Sequence, residues 1–404
     1  EMGPCTRVPL SYMRLRQFIG SEEASLARFG VRKVSRVCTM IPNGPEAAVC
    51  FLALAVRCVY APLNIALTEG EVEFEFEDLP CHTLIMMHRA QAAAGLNVAV
   101  KRGLQVLWLQ PDPDVVGLFE LRSLSGGKQP PCGEDLWSRR TDVALVLHTS
   151  GTTKKPKIVP LTHANLVVGA LCIKSTLQLV PSDICLNMLP LFHIHGLSVN
   201  ILVTALSGAS VICSHGYQGP EEPYRWLKEA TWYSAVPTIH QGIVEFGEVD
   251  GWHREKLPQR LKFIRNCSAA LLPVIAKRME RLFSCTVLPT YAMTESMPIA
   301  SNPRRNHRNL RSVGLAAGPC MQLRNVRGRT DFPQSESAEL EVCVRGACVT
   351  QGYEYRANHM DQDPNIDAFH SDGWLRTGDK GYLDKHGYLC LSGRFKEIIN
   401  CGGG

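Results

Sequence analysis

The chain has 404 residues, which is long enough to bury a sizeable core and to form two or three packed subdomains. Its composition is ordinary (45% hydrophobic, 20% charged) and its formal net charge of +5 is spread thinly; with no zinc-finger spacing or aromatic-basic alternation, nucleic acid is not an expected partner. The sixteen cysteines include no CxxC pair, which indicates buried free thiols in a reducing compartment rather than disulfides.

Residues 12–110 alternate helical segments with short apolar runs, a pattern typical of an α/β fold. The spacing predicts a helix over 12–29, a strand over 34–40 and a buried helix over 46–56, and the apolar run there is too short to span a bilayer. Residues 110–140 are rich in Pro, Gly, Asp and Ser without periodicity. We therefore expect a surface connection between two subdomains in that stretch.

From residue 142 onward the pattern is sharper. An apolar run at 143–147 predicts a buried strand, a loop rich in Thr, Gly and Lys follows, and Thr162 is placed to cap a helix that reaches Leu179. Further strand and helix pairs fill residues 184–300. Residues 310–393 are rich in strand patterns with Gly turns, which predicts a small antiparallel sheet or barrel.

The loop after the predicted strand at 143–147 has the composition of a phosphate-binding loop. Its residues are Thr149, Ser150, Gly151, Thr152, Thr153, Lys154, Lys155, Pro156 and Lys157. Backbone N–H groups and hydroxyls can donate to phosphate oxygens, and a lysine adds a point charge. The loop lacks the Gly-Lys-Ser/Thr of a Walker A motif, and a basic surface turn is the alternative interpretation.

Five later segments, together with this loop, form the sequence pattern of a known protein family. They are Leu189-Pro190-Leu191-Phe192-His193, Asn266-Cys267-Ser268-Ala269-Ala270, Tyr291-Ala292-Met293-Thr294-Glu295, Thr377-Gly378-Asp379 and Gly393-Arg394-Phe395-Lys396-Glu397. In order and spacing the chain resembles the adenylate-forming superfamily of acyl-CoA synthetases, luciferases and peptide-synthetase adenylation domains. The resemblance extends from about residue 10 to residue 404, and residues 230–241 and 291–295 are most similar to the peroxisomal oxalate–CoA ligase branch.

The resemblance implies an α/β fold, the large N-terminal domain of adenylate-forming enzymes, with two α/β subdomains and a small β-rich subdomain. This AMP-binding domain would occupy residues 1–393. Residues 394–404 would form the hinge, at Lys396, and the start of a small C-terminal domain that carries the adenylation lysine and rotates between the two half-reactions. Because that lysine is not in the sequence, we expect the chain to bind nucleotide but to turn over acyl-CoA negligibly.

The resemblance also assigns nucleotide-binding residues. ATP and AMP would be bound by Thr149, Ser150, Gly151, Thr152, Thr153, Lys157, Ala269, Ala270, Tyr291, Ala292, Met293, Thr294, Asp379 and Arg394. Tyr291 would stack on the adenine, and Asp379 would accept from both ribose hydroxyls with Arg394 beside it. Thr294 would donate to the α-phosphate and Glu295 would hold Mg²⁺, so that both are implied catalytic residues. As single residues, Tyr291 would be interpreted as a core aromatic and Glu295 as a helix-capping carboxylate. Asp379 and Arg394 would be interpreted as a surface ion pair.

The acid substrate is expected at His193 and Ser268, and His193 is also implied as catalytic. Residues 268–270 would form one wall of the acyl pocket. Amino-acid-activating relatives carry an Asp at the position of His193, which argues against an amino-acid substrate. His193 and His195 could also be interpreted as a metal pair, but the sequence offers no third ligand.

Further residues bear on the size of the acid substrate and on how strongly the loop binds phosphate. Tyr233, His193 and Ile239 suggest a crowded pocket and hence a small carboxylic acid, such as a short-chain or dicarboxylic acid. Pro298 stands where the oxalate branch has a His, which weighs against oxalate itself. Lys154 and Ile158 stand where the family usually has small residues, so phosphate binding is expected to be weaker but not lost.

The implied reaction is that of an ATP-dependent acid–CoA ligase, an AMP-forming acid–thiol ligase. A carboxylate and ATP give acyl-AMP and pyrophosphate, and the coenzyme A thiol then displaces AMP. ATP, Mg²⁺ and coenzyme A are therefore the implied cofactor and co-substrates. The alternatives are an inactive nucleotide-binding module and an adenylation domain that loads a carrier protein. A cytoplasmic or peroxisomal location is expected.

Overall fold

A computed structural model of the chain describes residues 7–21, 24–87, 93–124, 137–149, 156–249, 260–324, 340–356, 360 and 362–395. Three β-sheets organise these residues, two with seven strands and one with four. The α/β fold and the small β-rich part expected from the sequence are confirmed.

The first sheet is built around parallel strands. Its strands are β1 (Arg36–Met40), β2 (Val59–Pro62), β3 (Thr83–Met87), β4 (Gln105–Pro111), β5 (Phe119–Ser123), β6 (Val143–Thr149) and β7 (Lys157–Thr162), in the spatial order β5-β4-β3-β1-β2-β6-β7. Its helices are α1 (Tyr12–Gly20), α2 (Pro45–Leu54), α3 (Glu69–Asp78) and α4 (Ala93–Lys101), with a 3-10 turn at Ala27–Phe29. The inner strands β1 and β3 are buried along nearly their whole length, which explains their continuous apolar sequences.

Three sequence expectations for this region are wrong. The helix expected over 12–29 ends at Gly20, and a separate 3-10 turn at Ala27–Phe29 follows it. The stretch 110–140 is more than a connection between subdomains, because it contains the edge strand β5, which pairs antiparallel with β4. The phosphate-type loop does not lead directly into a helix, because β7 first returns antiparallel to β6. The sequence did not predict β7, because a proline such as Pro160 argues against a strand. A proline is tolerated there because β7 is an edge strand. Thr162 then caps helix α5 (His163–Leu177), as predicted.

The second sheet carries three of the segments that contain predicted site residues. Its strands are β8 (Ile184–Asn187), β9 (Ser210–Cys213), β10 (Trp232–Ala235), β11 (Phe263–Asn266), β12 (Thr286–Met293), β13 (Ser296–Ser301) and β14 (Leu315–Ala316), in the order β14-β13-β12-β11-β10-β8-β9. Besides α5, its helices are a π-helix (His195–Leu202), α6 (Val203–Leu206), α7 (Glu222–Leu227), α8 (Pro237–Val249) and α9 (Pro273–Phe283).

The order of these strands creates a crevice. The chain leaves β8 toward β9 on one side and leaves β10 toward β11 on the other side. The carboxyl ends of β8 and β10 therefore flank a topological switch point, where open α/β sheets bind their ligands.

The third sheet is the small antiparallel one. Its strands are β15 (Cys320–Arg324), β16 (Leu340–Arg345), β17 (Leu375–Leu383) and β18 (Leu389–Arg394), and helix α10 (Asn365–Ala368) precedes β17. A bridge between Gly314 and Leu389 joins this sheet to the end of the second.

One large apolar cluster joins all three sheets. It includes Val37 from the first sheet, Trp232 from the second and Val342 from the third, each fully buried. Burial of a large apolar side chain contributes roughly 1.5–3 kcal/mol, so this shared core holds the sheets in a fixed relation. None of the helices in the described ranges combines the length and apolarity that a bilayer crossing requires. The cysteines of those ranges are all free, as predicted, and most are buried.

Candidate active site

The carboxyl edge of the second sheet gathers residues from four predicted segments. His193 follows β8, residues 268–270 follow β11, and residues 291–295 lie at the end of β12. Because β8, β10, β11 and β12 run parallel to one another, their carboxyl ends meet at this edge. Asp379 reaches the same region from the third sheet, through a contact with Tyr291.

Tyr291 and Asp379 form a buried contact between two sheets. The Tyr291 hydroxyl donates to one carboxylate oxygen of Asp379, and Arg394 Nε donates to the other at 2.8 Å. Asp379 and Arg394 face each other across β17 and β18. Burial and the Asp379 carboxylate raise the pKa of Tyr291 well above its usual value. Tyr291 therefore stays a neutral donor, which leaves the negative charge on Asp379.

Residues 377–379 form an irregular segment of β17, where the pairing with β16 shifts register. Gly378 has a left-handed backbone (φ 77°), and its N–H donates to Glu341 Oε1 at 2.9 Å. Thr377 Oγ1 accepts from the Asp379 N–H at 3.1 Å and donates to the Val342 carbonyl at 2.8 Å. This arrangement explains the Thr-Gly-Asp sequence, since the glycine adopts the left-handed backbone of this irregular segment and the threonine accepts from the backbone N–H of the aspartate.

Glu295 is the second buried carboxylate of the edge. It lies in the turn between β12 and β13, is only 5% exposed, and accepts a hydrogen bond from the Tyr353 hydroxyl at 2.5 Å. Burial raises the pKa of Glu295. Lys157 Nζ lies 4.3 Å from the centre of the Tyr353 ring. Tyr353 therefore links Lys157, the last residue of the phosphate-type loop, to the carboxylate that was predicted to bind magnesium.

Several predicted nucleotide residues have few described contacts. Thr149 Oγ1 donates to the Lys157 carbonyl at 3.5 Å, which closes the base of the phosphate-type loop. Ala292, Met293 and Thr294 are half-buried between Tyr291 and Glu295. Ser150, Gly151, Thr152, Thr153 and the predicted hinge Lys396 lie outside the described residues.

The predicted acyl wall is exposed. Ser268, Ala269 and Ala270 are all open to solvent, and His193 is exposed as well. Asn266 Nδ2 donates to the Ala269 carbonyl at 2.9 Å and so shapes the turn. Ser268 adopts a left-handed backbone (φ 74°), an uncommon conformation for a residue with a side chain.

Behind this wall lies a buried polar cluster that the sequence did not reveal. His195 Nε2 lies 2.6 Å from Ser234 Oγ and 3.1 Å from Arg265 Nη1, and His195 Nδ1 lies 3.4 Å from Ser268 Oγ. Arg265 is 1% exposed and Ser234 is fully buried. The interpretation of His193 and His195 as a metal pair gains no support, since neither belongs to a cluster of three potential ligands in the described ranges.

Tyr233 does not face this site. Its side chain is fully buried in a separate apolar cluster with residues of α7, α8 and α9, and Ile239 packs against the same cluster. Successive residues of a strand point to opposite faces, so Ser234 rather than Tyr233 is directed toward the π-helix. These two residues therefore give no measure of how crowded the acyl pocket is.

A family model described as AMP-binding enzyme matches residues 6–354, most of the chain. The chain belongs to the AMP-binding enzyme family. The prediction from the five segments is thereby confirmed at the level of the superfamily, the fold and the class of AMP-forming ligases.

Two relatives of this AMP-binding enzyme are CoA ligases by name. A probable CoA ligase of Humulus lupulus is 37% identical over 408 residues, which cover 98% of this chain and 74% of the relative. The oxalate–CoA ligase of Arabidopsis thaliana is 36% identical over 407 residues, with coverage of 98% and 76%. The ATP-bound structure of MatB from Rhodopseudomonas palustris superposes with a TM-score of 0.82 at 25% identity, over 99% of this chain and 78% of that one. The chain thus spans about three quarters of the length of these proteins.

Proposed function

We propose that this AMP-binding enzyme is an ATP-dependent acid–CoA ligase that acts on a small carboxylic acid, such as a short-chain or dicarboxylic acid. One observation carries the proposal. The two buried carboxylates Asp379 and Glu295 lie at the same sheet edge as the exposed residues 268–270. A nucleotide held by the carboxylates would therefore have its α-phosphate next to an open wall where an acid can bind.

The nucleoside would bind at Tyr291 and Asp379. The contact through its hydroxyl fixes the orientation of Tyr291, whose ring would stack on adenine, and Ala269 and Ala270 would lie close to the base. Each carboxylate oxygen can accept more than one hydrogen bond, so Asp379 can accept from ribose hydroxyls while it is bound by Tyr291 and Arg394.

The phosphates would lie between Glu295 and the loop 149–157. The residues present fit Mg²⁺, because Glu295 offers a carboxylate oxygen, and Mg²⁺ in proteins is held by one or two carboxylates together with substrate phosphates and water. When bound, the ion neutralises charge on the departing pyrophosphate. Thr294, next to Glu295, would donate to the α-phosphate as negative charge develops there.

The acid would bind at Ser268 and His193. The A. thaliana relative is named for oxalate, a small acid. We also propose that residues 1–393 form the adenylation domain, with a hinge at Lys396. The proposed location is cytoplasmic or peroxisomal.

The test combines calorimetry with ATP–pyrophosphate exchange on the 404-residue chain. We expect Mg·ATP to bind the parent chain, and Asp379→Asn to weaken binding about tenfold, because a charged acceptor typically contributes about 1.5–3 kcal/mol. Glu120→Gln is the control, since Glu120 lies on the edge strand β5 of the first sheet and accepts from Arg122, two residues away. Equal affinities of the parent and Asp379→Asn would show that the nucleotide site is misplaced.

Exchange with a panel of carboxylic acids then tests the acid. We expect two- to six-carbon acids to support faster exchange than long-chain fatty acids. The reverse preference would contradict a small substrate without affecting the nucleotide site.

A further inference from the structure

A chain of polar contacts runs from the exposed wall into the sheet. It begins at the Ser268 hydroxyl, passes through the two ring nitrogens of His195, and ends at Arg265 and Ser234. Its members come from the turn after β11, the first turn of the π-helix, and strands β10 and β11. A π-helix is rare and is frequently found at functional sites. Because β10 flanks the switch point of the second sheet, the chain of contacts lies at that point.

Arg265 determines which atoms donate and which atoms accept along this series of polar contacts. A guanidinium nitrogen only donates, so the His195 Nε2 atom that faces Arg265 Nη1 at 3.1 Å must carry a lone pair. The Ser234 hydroxyl, at 2.6 Å, can donate to the same nitrogen. A neutral imidazole whose Nε2 accepts carries its hydrogen on Nδ1. That hydrogen points at Ser268 Oγ, 3.4 Å away.

The surroundings also keep His195 neutral. Burial lowers its pKa well below the usual value, and the nearby Arg265, His240 and His193 act in the same direction. Within the described ranges Arg265 forms no ion pair with a carboxylate, and its guanidinium donates instead to His195 and Ser234. No described contact therefore favours a doubly protonated ring.

The backbone of Ser268 is a second, independent observation. Its positive φ of 74° costs free energy in any residue with a side chain, and such conformations persist mainly where the surrounding structure enforces them at functional sites. A glycine would adopt this conformation without strain but would have no hydroxyl.

We propose that Arg265 is a positioning residue, which holds His195 in the Nδ1–H tautomer so that Ser268 presents its hydroxyl hydrogen to the carboxylate of the acid substrate. This inference rests on the proposed function of the site. An ionised carboxylate only accepts hydrogen bonds. In the opposite tautomer Ser268 would donate to His195 Nδ1, and only oxygen lone pairs would face the substrate. Arg265 thus acts on substrate binding without contacting the acid.

The primary test is nitrogen NMR of ¹⁵N-histidine in the full chain without ligand, with the His195 signals assigned from their loss in His195→Asn. We expect a neutral ring at neutral pH, protonated at Nδ1 and unprotonated at Nε2. A ring protonated at Nε2, or at both nitrogens, would overturn the proposal. Because no ligand or turnover is needed, failure of the proposed function does not affect this result.

Two variants of Arg265 separate positioning from a purely structural role. Arg265→Lys keeps a donor and is expected to retain the Nδ1–H tautomer. Arg265→Met removes the donor while keeping a long apolar side chain, and is expected to shift His195 toward the Nε2–H tautomer. An unchanged His195 spectrum in folded Arg265→Met would overturn the role of Arg265. If this variant does not fold, the spectrum of the parent still decides which nitrogen of His195 is protonated. Loss of the Nδ1–H tautomer in Arg265→Lys would then contradict the role of Arg265.

The consequence for the acid is tested with propionate as the probe in pyrophosphate exchange. Ser268→Ala should raise the KM for propionate about tenfold with the His195 tautomer unchanged, since loss of a hydrogen bond to a charged group has about this effect. Arg265→Met should raise KM similarly and Arg265→Lys should restore it. An unchanged KM in Ser268→Ala would overturn the inference, whereas absence of exchange in the parent would contradict the proposed function with this acid.

Discussion

At the proposed nucleotide end of the site, two tyrosine hydroxyls donate to two buried carboxylates, Tyr291 to Asp379 and Tyr353 to Glu295. At the proposed acyl end, a buried guanidinium donates to a serine and lies against the ring of His195, which burial keeps neutral. The first arrangement leaves negative acceptors, which suit ribose hydroxyls and a divalent cation. The second leaves hydrogen-bond donors, which suit a carboxylate. Each end therefore presents hydrogen-bonding groups that complement the group it is proposed to bind, acceptors at one end and donors at the other.

The largest effect is expected from Glu295→Gln. Loss of a partner that only orients a metal ligand costs about 10–100-fold in metal affinity, so loss of the ligand itself should weaken Mg·ATP binding by at least the upper part of that range. Calorimetry at fixed Mg²⁺ measures this change.

The same variant should leave the fold intact. Burial raises the pKa of Glu295, so the ionised carboxylate at neutral pH lowers the stability of the native state, and this cost disappears as the pH falls and the group is protonated. A neutral Gln can still accept from Tyr353. We expect an equal or higher Tm at neutral pH, and a lower Tm would contradict this account of Glu295.

Gly196→Ala should disturb the acyl end alone. A Cβ at Gly196 would lie 2.3 Å from the Pro190 carbonyl oxygen, so the π-helix that begins at His195 must move. Overpacking of this kind costs about 1–3 kcal/mol. Thermal unfolding measures the loss, and we expect the His195 signals to change while Mg·ATP affinity stays close to that of the parent.

Gly70→Ala is the matched control. Gly70 lies in helix α3, and a Cβ there would meet nothing within 4 Å. Alanine is favoured over glycine inside a helix by up to about 1 kcal/mol, so this variant should be slightly stabilised. Similar losses of stability in both variants would show that the close approach at Gly196 is not the cause.

Tyr353→Phe should have a smaller effect on the nucleotide end. It removes the hydroxyl that orients Glu295 but keeps the ring beside Lys157. We expect about tenfold weaker Mg·ATP binding, the lower end of the range for partners of a metal ligand. Tyr355→Phe is the control, because Tyr355 is 43% exposed and lies two residues away. Equal losses in both variants would contradict a specific role for Tyr353.

The smallest effect is expected at His148, just before Thr149. Its Nδ1 contacts Glu75 and its Nε2 lies 2.7 Å from Asp78. Burial lowers the pKa of His148, but the two carboxylates outweigh burial and the net shift is upward. The stabilisation is therefore complete below the ordinary histidine pKa of about 6.5 and is lost as the pH rises through the higher native pKa.

Denaturant unfolding of the parent and His148→Gln at several pH values tests this sign. The stability difference between them should shrink as the pH rises above neutrality. A difference that grows with pH would show that His148 is neutral in the native state.

Local sequence patterns found the contiguous segments of the proposed nucleotide end but not the side chains that contact them. Residues 291–295 are contiguous at the end of β12, and residues 377–379 are contiguous in an irregular part of β17. Tyr353 could not be found in this way, since it reaches Glu295 from 58 residues further along the chain. Arg265 did leave a signal, a charged residue inside the apolar strand β11, where an arginine is rarely buried without a purpose.

The alternation of side chains along a buried strand is the second reason why the sequence did not reveal the proposed acyl end. β10 is buried on both faces, so its sequence does not reveal which side chains point toward the π-helix. The sequence suggested Tyr233, and the structure places Ser234 there instead. The antiparallel return of β7 was hidden for a similar reason, because Pro160 is unusual in a strand and gave the segment the composition of a loop.

The contact between Tyr291 and Asp379 has a consequence for local unfolding. It joins β12 to β17, so separation of the third sheet from the second would break it and expose a phenol and a carboxylate that are both buried. A nucleotide bound to Asp379 would be released by the same opening. The free energy of nucleotide binding is then added to the free energy of that opening, and amide hydrogens in β17 and β18 exchange more slowly as the nucleotide concentration rises.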